Sequence, residues 1–284
     1  MKKLNQIILR SSLFLCLSAC CLTAYCQVQE VSLRAPDNIK IDGKTLEWPN
    51  NKLKVFNNSN KIFYTVCNDD NNLYLTMRGT YFYGSAKMIG GGVTFTISRL
   101  VDKKARQKDK NSVAVTFPYI DPAAARIIYS SINSYSDMAH DTINRAKDHD
   151  SLVKVVNALT SAAIKEIKVS GIKEIGDEPI SIYNTTGVKA MGTFNRGMSF
   201  TLEIAIPLKY LGLSANDDSQ FSYNIKLNEP SWLAANNNTA APMPMAGDMV
   251  NGEVLTSAPR INPDYYFLSN TTDFWGEYTL AKKP

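Results

Sequence analysis

The feature that most constrains this chain is a period of two in its apolar residues. Leu73, Leu75 and Met77 alternate with Tyr74, Thr76 and Arg78, directly after the turn-forming run Asn68–Asn72. Val93, Phe95 and Ile97 alternate with Thr94, Thr96 and Ser98, and Val113, Val115 and Phe117 with Ala114 and Thr116. Phe200, Leu202, Ile204 and Ile206 alternate with Thr201, Glu203 and Ala205 until Pro207, and Phe221, Tyr223, Ile225 and Leu227 with Ser222, Asn224, Lys226 and Asn228. Segments of this kind bury one face and wet the other, as antiparallel strands do. Repeated half-buried strands need a second sheet over their apolar faces. The pattern therefore predicts a mainly β fold, an antiparallel, jelly-roll-like β-sandwich.

One stretch breaks the period. Leu152, Val155, Val156, Leu159, Ala163, Ile164 and Ile167 fall near helical spacing after Asp150-Ser151. They predict one amphipathic helix over about 150–166, capped at that pair and packed on the sandwich. Strand patterns return in Ile167–Ile172, Ile180–Tyr183 and Val188–Phe194. The expectation is thus a single domain over 27–284 with an insertion at about 100–195. The charged run Lys103–Lys110 reads as a solvated loop or hairpin tip.

The N-terminus reads as an address. Lys2, Lys3 and Arg10 precede the apolar stretch Ser11–Ala19, which is shorter than the roughly 20 residues a bilayer span takes. Ala24-Tyr25-Cys26 before Gln27 fits a signal peptide over 1–26. Leu17–Cys20 instead resembles a lipobox, in which Cys20 is lipidated and kept as the sole membrane anchor. Either reading implies export to the periplasm or cell envelope. The chain carries 31 basic and 26 acidic residues. Three of its basic residues lie in the first 26 and no acid does, so the remainder is nearly neutral, with its basic residues dispersed, and has no nucleic-acid footprint. Four of the five cysteines are also there, at 16, 20, 21 and 26. The remaining Cys67 sits in the apolar run Ile62–Cys67 and is expected to be buried and inert.

Five segments in order are similar to the family 9 carbohydrate-binding module group, the DOMON-like β-sandwiches. They are Ile39–Trp48 with Asp42-Gly43 and Glu47-Trp48, Val66–Leu75, Phe200–Pro207 with Leu211–Leu213, Phe221–Asn228, and Phe274–Leu280. The resemblance implies carbohydrate binding without catalysis, accessory to glycan use at a bacterial envelope. It also implies that the strand ending at Asn228 leads into binding loops, which puts Asn228, Glu229 and Trp232 first. The superfamily also holds haem-binding members, for which Met88, Met243, Met245 or His140 are the axial candidates, and members with no small ligand. Family 9 modules carry structural calcium, for which Asn68–Asn72 and Asn216–Asp218 offer oxygens. Asn/Asp turns need no metal, however, and neither run fits an EF-hand loop. No cofactor is assigned.

The residues themselves point the same way. Sugar binding needs flat aromatic faces beside amides, carboxylates or guanidinium groups. Arg78 shares an outward parity with Thr76, and Asn228 with Asn224 and Lys226; strands lying in one sheet would make these a single polar face. Tyr81, Tyr83 and Trp232 lie in the loops that follow, and the long segment Ala234–Gly247 is unpatterned. The plain alternative makes Asn228–Ser231 a turn and Trp232 a lid over the core. Asp42-Gly43 reads as a turn, Trp48 as a plug at one end of the sandwich, and Glu203 as a local bonding partner that holds a strand edge. Gly90–Gly92 precedes a strand, so it cradles no phosphate and instead allows a close backbone approach or a bulge. His140 and His149 have no metal-motif spacing, and no catalytic grouping is recognisable.

Overall fold

The computed structural model describes residues 28–51, 53–80, 82–138, 145–216, 218–230, 232, 249–250, 253–254 and 263–283. Residues 1–27 with their four cysteines, Tyr81, His140, Met243, Met245 and the rest of Ala234–Gly247 lie outside the described residues, as does the side chain of His149. Among the described residues no helix is long and apolar enough to cross a membrane.

The strands in chain order are β1 (Val55–Asn57), β2 (Ile62–Asn68), β3 (Asn72–Gly79), β4 (Val93–Ser98), β5 (Val113–Tyr119), β6 (Glu166–Ser170), β7 (Ile180–Ser181), β8 (Lys189–Phe194), β9 (Phe200–Pro207), β10 (Phe221–Leu227), β11 (Met249–Val250), β12 (Glu253–Val254) and β13 (Thr272–Tyr278). They form a five-stranded sheet ordered β1-β2-β3-β9-β8, a six-stranded sheet ordered β13-β10-β4-β5-β6-β7, and the small β11-β12 pair. Every pairing is antiparallel. This is the β-sandwich that the period of two predicts.

The alternation becomes the core directly. Leu73, Leu75, Met77, Leu202, Ile204 and Ile206 face Val93, Phe95, Ile97, Val115, Phe117, Tyr223, Ile225 and Leu227 across the sandwich, all essentially without solvent contact. Tyr64 and Tyr223, one from each sheet, bring their hydroxyls to 3.2 Å in mid-core. Gln29 donates its backbone N–H to the Tyr64 oxygen at 2.8 Å, and burial pushes the Tyr223 phenol well above its ordinary range.

Helices fill the ends and edges. They are α1 (Tyr83–Gly91), α2 (Lys103–Arg106), α3 (Pro122–Met138), α4 (Arg145–Ala163) and α5 (Pro263–Ser269). The helix expected over 150–166 is α4, which begins earlier, so Asp150 is not its cap. The Asp150 carboxylate takes the Arg196 guanidinium at 2.8 and 2.9 Å instead. Two further helices, α2 and α3, lie in the middle of the chain, where helical spacing predicted one. α3 starts at Pro122 behind Asp121, whose carboxylate accepts from Ala123 and Ala124 N–H, a start signal the period-two reading passed over. α2 lies within the Lys103–Lys110 run between β4 and β5. α3 and α4 lie between β5 and β6, which nonetheless pair with each other.

α1 is buried on every side from Gly84 to Gly90 and closes one end of the sandwich. Its Lys87 has no solvent contact. The ammonium donates to Thr272 Oγ1 at 2.9 Å and sits 4.2 Å from the centre of the Phe267 ring.

The outer face of the five-stranded sheet is closed by the chain's own beginning. Trp48 and Leu53 pack there on Cys67, Tyr74 and Ala205, with Leu33, Ile39 and Ile41 around them. Trp48 therefore covers a sheet face and not, as expected, an end of the sandwich. Gly43 takes the left-handed φ of 77° that the turn requires. Glu203 is not a local strand-edge partner. It lies on the interior strand β9, and its Oε2 accepts the Asp42 and Gly43 N–H groups at 2.9 and 3.0 Å. Burial, aided by Glu47 and Asp42 and opposed by those two amides, pushes this carboxyl up to about 7. Cys67 is fully buried, and burial raises its thiol well above the usual range.

Candidate functional site

The two outward-facing sets of the sequence lie on opposite sides of the molecule. Arg78 belongs to β3, whose partners are β2 and β9, whereas Asn224 and Lys226 belong to β10, whose partners are β13 and β4. The expected single polar face thus becomes two faces. On the first, Arg78 stacks 5.4 Å from the centre of the Phe63 ring, and Thr76 is buried 3.4 Å from Glu203. That face is the one the N-terminal segment covers.

The second is the outer face of the six-stranded sheet. Register places Trp275, Asn224, Thr96 and Ala114 in one row, and Asp273, Lys226, Thr94 and Thr116 in the next. Trp275, Thr96, Ala114, Lys226, Thr94 and Thr116 are half-buried, and Asp273 is exposed. Asn224 is fixed by donating to Asp273 Oδ2 at 2.7 Å and to the Phe274 carbonyl at 3.0 Å. Thr94 and Thr116 hydroxyls meet at 2.8 Å. Asn228 continues the outward parity. Its amide donates to Thr94 Oγ1 at 3.0 Å and to the Gly92 carbonyl at 3.2 Å.

Arg106 at the end of α2 reaches over the edge of this face. Its guanidinium lies 4.9 Å from the Trp275 ring centre, and its Nη1 donates to Ser222 Oγ at 3.1 Å and to Glu277 Oε1 and the Val101 carbonyl at 3.4 Å. Its side chain is only 11 % exposed, and Nε is buried with no hydrogen-bond acceptor among the described residues. Beside the pair opens a depression of about 340 Å³, lined by Trp275, Arg106, Glu277, Gln220 and Val28–Glu30. An indole, a guanidinium, a carboxylate and an amide thus converge on one open surface. A larger depression of about 510 Å³ lies among loops carrying Lys110, Lys173, Lys209, Glu174 and Asp177. Its one ring, Tyr210, is tied by its hydroxyl to the Thr186 carbonyl.

The loop residues ranked first by sequence do not share a surface with Arg78. Gly90 and Gly91 let the 228–232 segment lie against α1: a Cβ at Gly90 would stand 2.7 Å from Trp232 Cη2 and 2.9 Å from the Pro230 ring, and one at Gly91 would meet the Asn228 carbonyl. This is the close approach expected of Gly90–Gly92. Trp232 is half-buried, its ring 5.4 Å from that of Tyr129 on α3. Tyr129 lies 6.0 Å from Phe82, and Phe82 lies 5.0 Å from Tyr83. Tyr83 and Trp232 are thus the two ends of one aromatic chain over α1. Asn228 joins the outer face of the six-stranded sheet, and the half-buried Glu229 follows it in the loop toward Trp232. Met88 is a fully buried core residue.

The Asn68–Asn72 run satisfies itself. Asp69 Oδ1 accepts the Asn71 and Asn72 N–H groups, and its Oδ2 accepts the Tyr74 hydroxyl at 2.6 Å. Asp218 pairs with Lys282 at 2.6 Å. Among the described residues no group of three or more His, Cys, Asp or Glu side chains is placed to hold a metal ion.

The sequence reading missed Trp275 and Arg106. The signal for Trp275 was present: in Phe274–Tyr278 the indole has the outward parity, between the outward Asp273 and Glu277. Nothing in the Lys103–Lys110 run distinguishes Arg106 from its basic neighbours. No protein-family model matches the chain, and neither does any curated protein or solved structure.

Proposed function

We propose that the protein is a non-catalytic carbohydrate-binding domain of the bacterial cell envelope that serves glycan use and takes its ligand on the outer face of the six-stranded sheet. The observation that carries this reading is the Trp275–Arg106 pair at the rim of an open depression, with Glu277 within reach of the same guanidinium. An indole covers the C–H side of a sugar ring, while a guanidinium and a carboxylate side by side donate to and accept from adjacent hydroxyls. The strip formed by Asn224, Thr96 and Thr94 adds amide and hydroxyl groups in fixed positions. The ordered resemblance of five segments to family 9 modules supports the same ligand class, as does an N-terminus of export type.

The experiment is a glycan array probed with the purified protein, followed by indole fluorescence titration of the hits. Binding in the micromolar to millimolar range is expected, with at least tenfold loss in Trp275→Ala and in Arg106→Ala, the second of which lies outside every strand. Absence of binding to any glycan at millimolar concentration overturns the reading. So does binding that survives both substitutions.

A further inference from the structure

The same sheet face extends well past the depression, and at its far side a second aromatic side chain stands out. β5 pairs regularly with β6 from Ala114 to Thr116, then the register shifts before Tyr119 meets Glu166. An irregularity of this kind re-aims the side chains beyond it. By strict alternation Tyr119 shares the inward parity of Val113, Val115 and Phe117. Instead it is 40 % exposed, with the Lys168 ammonium 5.7 Å from its ring centre. Lys168 is opposite Thr116 in register and belongs to the outer face. Two places on the face, Trp275 on the edge strand β13 and Tyr119 at the end of the interior strand β5, therefore carry the same device, a ring with a cation above it: Trp275 with Arg106, and Tyr119 with Lys168.

Among the described residues no large apolar side chain lies between them. The outward positions are Asn224 and Lys226 on β10, Thr94 and Thr96 on β4, and Ala114 and Thr116 on β5. Trp275 and Tyr119 stand on strands three spacings apart, about 14 Å, and about five residues apart along the strand direction, some 16 Å, so the diagonal between them is about 20 Å. That is far longer than one sugar ring. Threonine hydroxyls, the Asn224 amide and the Lys226 ammonium border it.

We propose that this face is a track for an oligosaccharide chain of several units, which crosses the strands diagonally with one sugar on Trp275 and another on Tyr119. The inference rests on the carbohydrate reading above and adds to it the length and course of the ligand. A chain ligand gains from each station in turn, because the second contact is made by a molecule already held by the first and so meets it at high effective concentration. A single sugar gains from Trp275 alone.

The test is a set of length ladders, from one to about six sugars, of β-1,4-glucan, β-1,4-xylan, α-1,4-glucan and α-1,4-galacturonan fragments, titrated calorimetrically into the protein and its variants. For a ladder that binds, affinity is expected to climb at least tenfold from one sugar to about four and then level off. Tyr119→Ala is expected to erase that climb and leave the monosaccharide affinity unchanged, and Tyr119→Trp, with an intact ring, to restore it. Trp275→Ala lowers affinity at every length. A flat dependence on length, or a Tyr119→Ala loss equal at all lengths, overturns the track while leaving a sugar site at Trp275 standing. No binding by any ladder overturns the carbohydrate reading itself, and the track with it.

Discussion

Lys87 gives the sharpest energetic expectation in the molecule. Its side chain is fully buried within α1, and among the described residues its ammonium makes one hydrogen bond, to Thr272, and one ring contact, to Phe267. Burial alone pulls its pKa down from 10.5 to about 8. At pH 7 the group is still protonated in the folded protein, and the displacement corresponds to about 3 kcal/mol by which that buried charge opposes folding. Lys87→Met keeps a similar volume and removes the charge. It gives up the Thr272 bond, whose hydroxyl is half-exposed and open to water, and a cation–ring contact worth about 0.5–2 kcal/mol. The expected net effect at pH 7 is a gain of about 1–3 kcal/mol. Between pH 8 and 10.5 the unfolded chain holds the Lys87 proton and the folded chain does not, so wild-type stability gains from this group as pH rises through that window. The advantage of the variant must therefore shrink by pH 9.5. Urea unfolding of both proteins at pH 7 and at pH 9.5 reads the gap directly. A folded Lys87→Met protein that is no more stable than wild type at pH 7, with a gap independent of pH, refutes the reasoning.

Glu203 supplies a paired test. Its folded pKa of about 7 lies above the ordinary 4.5, so the folded state binds the extra proton and this group's contribution is lost as pH rises from 4.5 to 7. Glu203→Gln keeps an acceptor for the Asp42 and Gly43 amides and is expected to flatten that slope in denaturation curves, whereas Glu203→Ala strands both amides and is expected to cost about 2–4 kcal/mol. Gly90→Ala places a methyl 2.7 Å from Trp232 and 2.9 Å from Pro230; a shift in indole emission and a loss of about 1–3 kcal/mol are expected, and an unchanged spectrum would remove Trp232 from the surface of α1. Cys67, buried and raised in pKa, is expected to resist a thiol reagent at pH 8 in the native protein and to react stoichiometrically in denaturant; rapid native labelling would contradict its burial.

The strands were legible because each half-buried strand advertises its inner face. Val93, Phe95 and Ile97, or Phe221 to Leu227, carry the sandwich on the alternation alone. The helices were less so, for different reasons in each case. α1 is buried all round, so Ser85, Lys87 and three glycines leave it no amphipathic stripe. α3 announces itself by Asp121-Pro122 and not by periodicity. Which strands share a sheet was beyond local pattern altogether: Arg78 and Asn224 have the same outward character, and only long-range pairing puts them on opposite sides. The candidate site inherits that difficulty. Trp275 is readable from parity, but its partner Arg106 comes from a basic run whose members look alike, and Tyr119 faces outward only because the register slips within β5.

The first and last segments of the domain hold each other. Gln29 bonds both backbone groups of Val66 through its side chain, at 2.9 and 2.7 Å. Leu33 exchanges bonds with the Tyr278 hydroxyl, and Arg34 and Asn68 both reach the Ala281 carbonyl. Tyr278 ends the strand that borders the six-stranded sheet. These bonds cannot form while the chain is being made, because Leu33 waits for Tyr278, synthesised 245 residues later. In this protein that delay is written into the pairing of its two termini.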